Sequence, residues 1–92
     1  MDSDIKLQKE LLSPPGDTIK ETLDTIGLSE SEFAKRIGWT RERLDDLIVG
    51  NVPITIETAR MLERELRITA SFWMTREKNY RSDLLALSQV QN

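Results

Sequence analysis

The chain has 92 residues, of which 38% are hydrophobic and 32% are charged, and its formal net charge is -3. This length predicts one small domain, and the acidic balance argues against a protein that binds polyanions through its overall charge, so any contact with nucleic acid has to be local. Cysteine and histidine are both absent, which removes disulfides, thiol nucleophiles and the commonest general base and metal ligand. An enzyme is therefore the least favoured class, and no cofactor is expected.

The N-terminal segment lacks the apolar core of a signal peptide, and no apolar run approaches the ~18 residues that a membrane helix needs. These features predict a cytoplasmic protein without membrane contact. Helix start and stop signals alternate along the chain at short intervals, and no period-two strand pattern competes with them. The sequence therefore predicts an all-α fold of five helices.

The first helix is predicted to begin at "PPGD" and to end at Gly27. Pro15 suits an initial helical position, and Asp17 lies near the positive end of the helix dipole. The apolar residues of this helix share one face, and they are Ile19, Leu23 and Ile26.

The second helix has the clearest start signal. In "LSESEF" we expect Ser29 to cap the helix and Glu32 to reach back to it, while Leu28 packs on Phe33. This pattern is a capping box combined with a hydrophobic staple. The helix is short and is predicted to end near Ile37.

The segment "IGWT" joins the second helix to a third one and predicts a helix-turn-helix layout. Ala34 is small enough for the two helices to cross closely, Gly38 allows the turn, and Thr40 caps the third helix. Trp39 and Leu44 have the spacing of a second staple, and Leu44 locks the third helix to the second. Stability is therefore expected to depend on the crossing of these two helices.

Two further helices are predicted beyond the loop "NVPI". The fourth is capped by Thr55, lasts to about Arg67, and carries apolar residues at Ile56, Ala59, Met61, Leu62 and Leu66. The fifth starts around Thr69, with a break near Asn79 and a polar tail from Ser88. Its apolar residues recur at helical spacing, and they are Phe72, Trp73, Tyr80, Leu84, Leu85 and Leu87.

The domain organisation follows from these elements. Residues 1–12 form an N-terminal extension that either docks weakly or stays mobile, with Ile5, Leu7, Leu11 and Leu12 between charged residues. Residues 13–88 form the helix-turn-helix domain, whose last helix is the candidate dimerisation helix. Residues 89–92 are expected to be a frayed tail.

The region from Pro14 to Arg81 resembles the Xre/Cro-type helix-turn-helix domain of HigA-like antitoxins of the VapI type. The resemblance lies in "PGDTIKETLDTIGLSESEFAKRIG", in "GNVPIT" and in "ASFWMTREKNYR". It implies a lambda-repressor-like fold, a homodimer, binding to an operator, and neutralisation of a HigB-like ribonuclease toxin. The stretch "LERELRITASFWMTREKNYR" also resembles the domain fused upstream of ImmA/IrrE-type metallopeptidases, but the chain has no His-Glu-x-x-His.

The third helix, residues 41–49, would be the recognition helix, and it ends at Gly50. Helical periodicity turns Leu44, Leu47 and Ile48 inward. The outward residues are Glu42, Asp46 and Val49, flanked by Arg43 and Asp45, whereas members of the family tend to have Gln, Ser, Thr, Arg or Lys there. The expected DNA-reading surface is therefore acidic.

Three interpretations of this acidic surface remain open. The carboxylates could read bases by accepting from the cytosine amino group, while Arg41 and Arg43 hold guanine or phosphate. They could instead be a solvated surface that pairs with itself, Arg41 with Asp45 and Arg43 with Asp46. In the third, the domain has lost DNA binding and the acids meet a basic protein.

Backbone N–H groups at helix starts can anchor phosphate without basic side chains. Three candidate starts are those of the second, third and fourth helices, and Lys35 adds a local cation. The residues predicted to contact DNA are Ser29, Lys35, Thr40, Arg41, Glu42, Arg43, Asp45, Asp46, Asn51 and Thr55. The segment 27–53 sums to four positive and five negative residues, so the salt dependence of binding is expected to be shallow.

The predicted dimer interface lies on the last helix and consists of Phe72, Trp73, Tyr80 and Leu84. Core filling is the alternative for Phe72, whereas Trp and Tyr are favoured where one side is buried and the other wet. A two-fold dimer would set two recognition helices ~34 Å apart, which matches a palindromic site.

Two functions are weighed. The first is a cytoplasmic, dimeric transcriptional repressor that binds a palindromic operator and acts as the antitoxin of a HigB-like ribonuclease toxin. The alternative is a protein-interaction module derived from the helix-turn-helix fold, with little DNA binding, which holds a basic protein partner through its acidic helix.

Overall fold

The computed structural model describes residues 12–90. Over this range the chain forms five helices and no strand, which confirms the all-α prediction. The helices are α1 (Gly16–Ile26), α2 (Glu30–Ile37), α3 (Arg41–Val49), α4 (Ile56–Leu66) and α5 (Ala70–Val90). Of the predicted N-terminal extension, residues 1–11 lie outside the described residues, as do residues 91 and 92.

Side-chain caps begin three of the helices as predicted. The Ser29 Oγ accepts a hydrogen bond from the backbone N–H of Glu32 at 3.1 Å, and the Thr40 Oγ1 accepts one from Arg43 at 3.1 Å. The Thr55 Oγ1 accepts one from the N–H of Thr58 at 3.2 Å. Each bond satisfies a backbone donor that has no partner within the helix, which fixes where the helix starts.

The helix ends differ in their chemistry. Gly38 ends α2 with a φ of 74°, a left-handed conformation that glycine adopts without steric cost. Arg67 ends α4 in the same region, with a φ of 63°, and it is the one non-glycine residue with positive φ between residues 12 and 90. A side chain at this position costs conformational energy that glycine would avoid.

All five helices contribute to one hydrophobic core. Its buried residues are Ile19, Leu23, Phe33, Ala34, Leu44, Leu47, Ile48, Ile54, Ala59, Leu62, Leu66 and Trp73. Of the apolar residues predicted on one face of α1 and along α4, Ile26 and Ile56 lie outside this core, at 54% and 48% exposed. Periodicity identifies the side of a helix that is buried, but it does not show how far along the helix its neighbours extend.

The last helix corrects several predictions. It is continuous through Asn79, so the predicted break is absent, and it extends to Val90. Trp73 was predicted in the dimer interface, but it is fully buried in the subunit, and its Nε1 donates to the carbonyl of Ile68 at 3.2 Å. A side chain without exposed surface cannot contact a second copy, so the prediction for Trp73 is wrong.

Candidate nucleic-acid interface

The helix-turn-helix unit consists of α2, α3 and the three residues between them. The two helices contact each other, and Ala34 and Leu44, which are 3% and 0% exposed, belong to the core that they share. The backbone N–H of Trp39 donates to the carbonyl of Ala34 at 2.9 Å, which ties the turn to the end of α2. The predicted crossing is confirmed.

α3 is held closely against α1. Gly16 packs so tightly on the backbone of Ile48 that a Cβ at this glycine would lie 1.9 Å from the Ile48 carbonyl oxygen. No side chain fits into this contact, so the glycine determines how near the two helices approach. The start signal "PPGD" contains Gly16, but nothing in that signal indicates this close packing.

The end of α3 is held by α5. A Cβ at Gly50 would lie 3.0 Å from the Tyr80 ring and 3.2 Å from Pro14, so the three residues pack together. Arg81 donates through Nη2 to the carbonyl of Val52 at 3.0 Å and through Nε to Glu77 Oε2 at 2.6 Å. α3 and the loop after it are thereby fixed to the middle of α5.

The outward face of α3 has the predicted composition. Leu44, Leu47 and Ile48 are buried. The remaining residues of the helix are exposed, and they are Arg41, Glu42, Arg43, Asp45, Asp46 and Val49. Three carboxylates, two guanidinium groups and one apolar side chain therefore form a common surface, which we call the α3 ridge.

Arg41 is held in place by three partners within the subunit. Its guanidinium donates to Asp45 Oδ1 at 2.9 Å, to the Ser31 hydroxyl at 2.7 Å and to Glu30 Oε2 at 2.6 Å. These contacts, the hydrogen bond to Asp45 foremost, raise the pKa of the Arg41 guanidinium above its ordinary value. Two carboxylates thus neutralise this cation and connect α2 with the ridge.

Arg43 and Asp46 have different partners from those predicted. The Arg43 guanidinium carbon lies 3.9 Å from the centre of the Trp39 ring, in a cation–π contact. Asp46 Oδ1 accepts a longer hydrogen bond from Asn51 Nδ2 at 3.4 Å. Of the two expected ion pairs on this helix, Arg41 with Asp45 is confirmed, while Arg43 with Asp46 is absent from the ion pairs between residues 12 and 90.

Glu42 differs from the other two acids of the ridge. Within the described part of the chain, its carboxylate has neither a hydrogen-bond partner nor an ion-pair partner, whereas Asp45 and Asp46 each have one. It is an exposed residue in the first turn of α3. The positive end of the helix dipole stabilises a negative charge there.

A cleft of about 550 Å³ lies beside the ridge, between α3 and the start of α4. Its lining is apolar in part and includes Trp39, Leu47 and Met61. Carboxylates of Asp46 and Glu57 also line it. Glu57 was not among the predicted site residues, although its place in the first turn of a capped helix was a usable signal.

The other predicted DNA contacts are also exposed. Ser29, Thr40 and Thr55 are the caps of α2, α3 and α4, Lys35 lies on α2, and Asn51 follows α3. Thr55 also lines the cleft, where the backbone N–H groups at the start of α4 lie close to the ridge. Contact with DNA stays a prediction for all of these residues.

The candidate dimer residues on α5 divide into two groups. Tyr80 is partly buried against Gly50 inside the subunit. Phe72 is 39% exposed and packs edge-on against Trp73, Leu84 is half-buried, and Leu85 is 60% exposed. The apolar surface available to a second subunit is thus formed by Phe72 and by the C-terminal half of α5.

Comparison with known proteins agrees with this geometry. A helix-turn-helix family model matches residues 19–73, which include α2 and α3 whole. A search of the curated proteins found no match. Within residues 12–90 no helix is long and apolar enough to cross a membrane. The chain belongs to the helix-turn-helix family of DNA-binding transcription regulators.

Proposed function

We propose that this chain is a transcriptional repressor that binds a palindromic operator as a homodimer, with the α3 ridge in the major groove. The observation that carries the proposal is the exposure of six of the nine residues of α3 beside the capped starts of two other helices. A helix in this setting can enter a groove while backbone N–H groups at neighbouring helix starts hold phosphates.

The shape of α5 supports the dimer. This helix has 21 residues, which corresponds to a length of ~31 Å. Leu84, Leu85 and Leu87 are partly or largely exposed in its C-terminal half. A second copy could cover these leucines, and the two-fold axis would then relate two ridges, as a palindromic site requires.

A mobility-shift assay on the DNA immediately upstream of the chain's own gene tests the repressor. We expect a retarded band at low salt, because phosphate contacts weaken as salt rises. The control is Glu21→Lys, which changes one charge on α1, outside the ridge. Its binding to the same duplex is measured in parallel. Folded, dimeric protein that retards no band would refute operator binding.

The proposal includes a role as the antitoxin of a HigB-like ribonuclease toxin. Support for this role is the resemblance of residues 14–81 to HigA-like antitoxins, together with the helix-turn-helix fold. The test is to co-express the chain with the product of the neighbouring gene and to measure RNA cleavage with and without the chain. A neighbouring product that cleaves no RNA, or that the chain neither binds nor inhibits, would refute this role.

A second candidate is a protein-interaction module that holds a basic partner. The observation in its favour is the neutralisation of Arg41 by Glu30 and Asp45, which leaves Glu42 and Asp46 as the acids of the ridge that are not paired with an arginine between residues 12 and 90. Asp46 also lines the cleft together with Glu57. A basic protein surface would complement this charge.

The double variant Asp45→Lys with Asp46→Lys tests the second candidate in a pull-down of small basic proteins encoded next to the gene. We expect it to lose such a partner. The matched control is Glu21→Lys with Asp24→Lys, which makes the same charge change on exposed residues of α1. A partner lost equally from both variants would contradict recognition through the ridge.

A further inference from the structure

Both cations of the α3 ridge have a partner within the subunit, but among the described residues only Arg41 is paired with carboxylates. Arg41 donates to Asp45, Ser31 and Glu30, and Arg43 lies over the Trp39 ring. An arginine that reads guanine needs its planar fork free to reach two acceptors at once. For Arg41, that would require breaking contacts to two carboxylates. The acids of the ridge are therefore better candidates than Arg41 for contact with a base.

The three acids differ in their freedom to accept a hydrogen bond. Asp45 accepts from Arg41 at 2.9 Å, and Asp46 accepts from Asn51 at 3.4 Å. Among the described residues, Glu42 has no such partner and keeps both carboxylate oxygens free. It also lies in the first turn of α3, and the N-terminal residues of a recognition helix are those that contact base edges.

A free carboxylate can only accept hydrogen bonds, and the major groove offers it unequal partners. Guanine presents two acceptors there and thymine presents an acceptor and a methyl group, so both leave the carboxylate unpaired. Adenine presents an amino group beside the acceptor N7, which repels the second oxygen. Cytosine has no acceptor on its own ring beside the amino group, where adenine has N7, and this makes it the best partner.

Leaving a carboxylate without a donor at a DNA interface is costly, because the group loses water and lies near phosphates. This cost increases the penalty for guanine and thymine beyond the loss of a hydrogen bond. We infer that Glu42 is a specificity-determining residue that selects a cytosine in each half of the recognised site. The inference rests on the proposed function and adds the base that this position reads.

Selection from randomised duplexes by wild-type protein, Glu42→Gln and Glu42→Ala tests this inference. Wild-type protein is expected to enrich one cytosine in each half-site, with discrimination on the order of 10- to 100-fold over guanine or thymine. Glutamine bonds adenine through N6 and N7, so Glu42→Gln should change that position to adenine. Glu42→Ala should lose the preference there, while the other positions stay the same.

Glu21→Gln is the matched control, because it makes the same change at an exposed glutamate of α1, outside the α3 ridge, and should leave the selected motif unchanged. Circular dichroism melting verifies that each variant is folded. A wild-type motif that Glu42→Gln retains unchanged, or a folded Glu42→Gln that loses all sequences equally, would overturn the inference alone. Wild-type protein that binds no duplex would overturn the proposed function and the inference with it.

Discussion

The contact between Gly16 and Ile48 provides the sharpest test of the packing that positions α3. A Cβ at residue 16 would lie 1.9 Å from the Ile48 carbonyl oxygen and 2.3 Å from its Cα. Ordinary van der Waals contact begins near 3.4 Å, so Gly16→Ala requires α1 and α3 to separate by about 1.5 Å. Both partners in the clash are backbone, so no rotamer change can relieve it.

Gly16→Ala is expected to lower the free energy of unfolding by a large amount for one added methyl group. Overpacking a core typically costs about 1 to 3 kcal/mol, and a clash with backbone belongs at the upper end of that range. Near 3 kcal/mol, the melting temperature of a domain of this size would fall by roughly 12 to 24 °C. Helix propensity alone predicts the opposite sign, because alanine in place of glycine typically stabilises by about 0.4 to 1 kcal/mol.

Thermal and denaturant unfolding followed by circular dichroism measure the effect. Gly27→Ala is the matched control, since the same change there has a φ of +73° but nothing within 4 Å of the new Cβ. We expect the control to lose about 1 kcal/mol through backbone strain alone, less than Gly16→Ala loses. A Gly16→Ala protein as stable as wild type, or more stable, would refute the close approach of α1 and α3.

Four further outcomes are expected. Ala34→Glu should leave the domain largely unfolded by circular dichroism, because it buries an unpaired charge; wild-type melting would refute the crossing of α2 and α3. Arg67→Gly should raise the melting temperature, because arginine at a positive φ is strained by about 1 kcal/mol and glycine is not. A decrease in the melting temperature would contradict strain at residue 67. Leu85→Glu should shift sedimentation towards the monomer and leave monomer unfolding near wild type, because Leu85 is 60% exposed. Lys35 and Arg36 are exposed cations in the last turn of α2, and Arg43 is the ridge cation without a carboxylate partner among the described residues. If only these three residues of each subunit neutralise phosphates, the slope of log K against log salt should be no steeper than about -5 for a dimer, and a steeper slope would refute the engaged state of Arg41.

The starts and ends of the first four helices were readable because the signals are local. Ser29, Thr40 and Thr55 each bond a backbone N–H three residues later, and this geometry depends only on neighbours in the chain. The last helix shows where such signals fail. The helix continues unbroken through Asn79, and Arg81 within it donates a hydrogen bond to the Val52 carbonyl. Nothing in the local sequence "TREKNYRSD" indicates this contact with a residue distant in the chain.

The faces of α3 were also predictable from the sequence, but the partners of its charged residues were predictable only in part. Periodicity alone turned Leu44, Leu47 and Ile48 inward and left the acids on the outer side, since a helix repeats every 3.6 residues. The partners of Arg41 could be found only in part. Asp45 is four residues away on the same helix, whereas Glu30 and Ser31 belong to α2 and reach Arg41 only when the two helices cross.

The sequence by itself determined the five helices, the helix-turn-helix unit and the acidic character of the α3 ridge, because caps, turns and helical faces arise from residues within a few positions of one another. The tertiary structure decided which charges on the ridge are free, that Trp73 belongs to the core while Leu85 is exposed, and how closely Gly16 approaches Ile48. These features depend on distances between helices far apart in the chain. Packing of complete side chains and backbones fixes such distances, and a pattern of residue types does not record them.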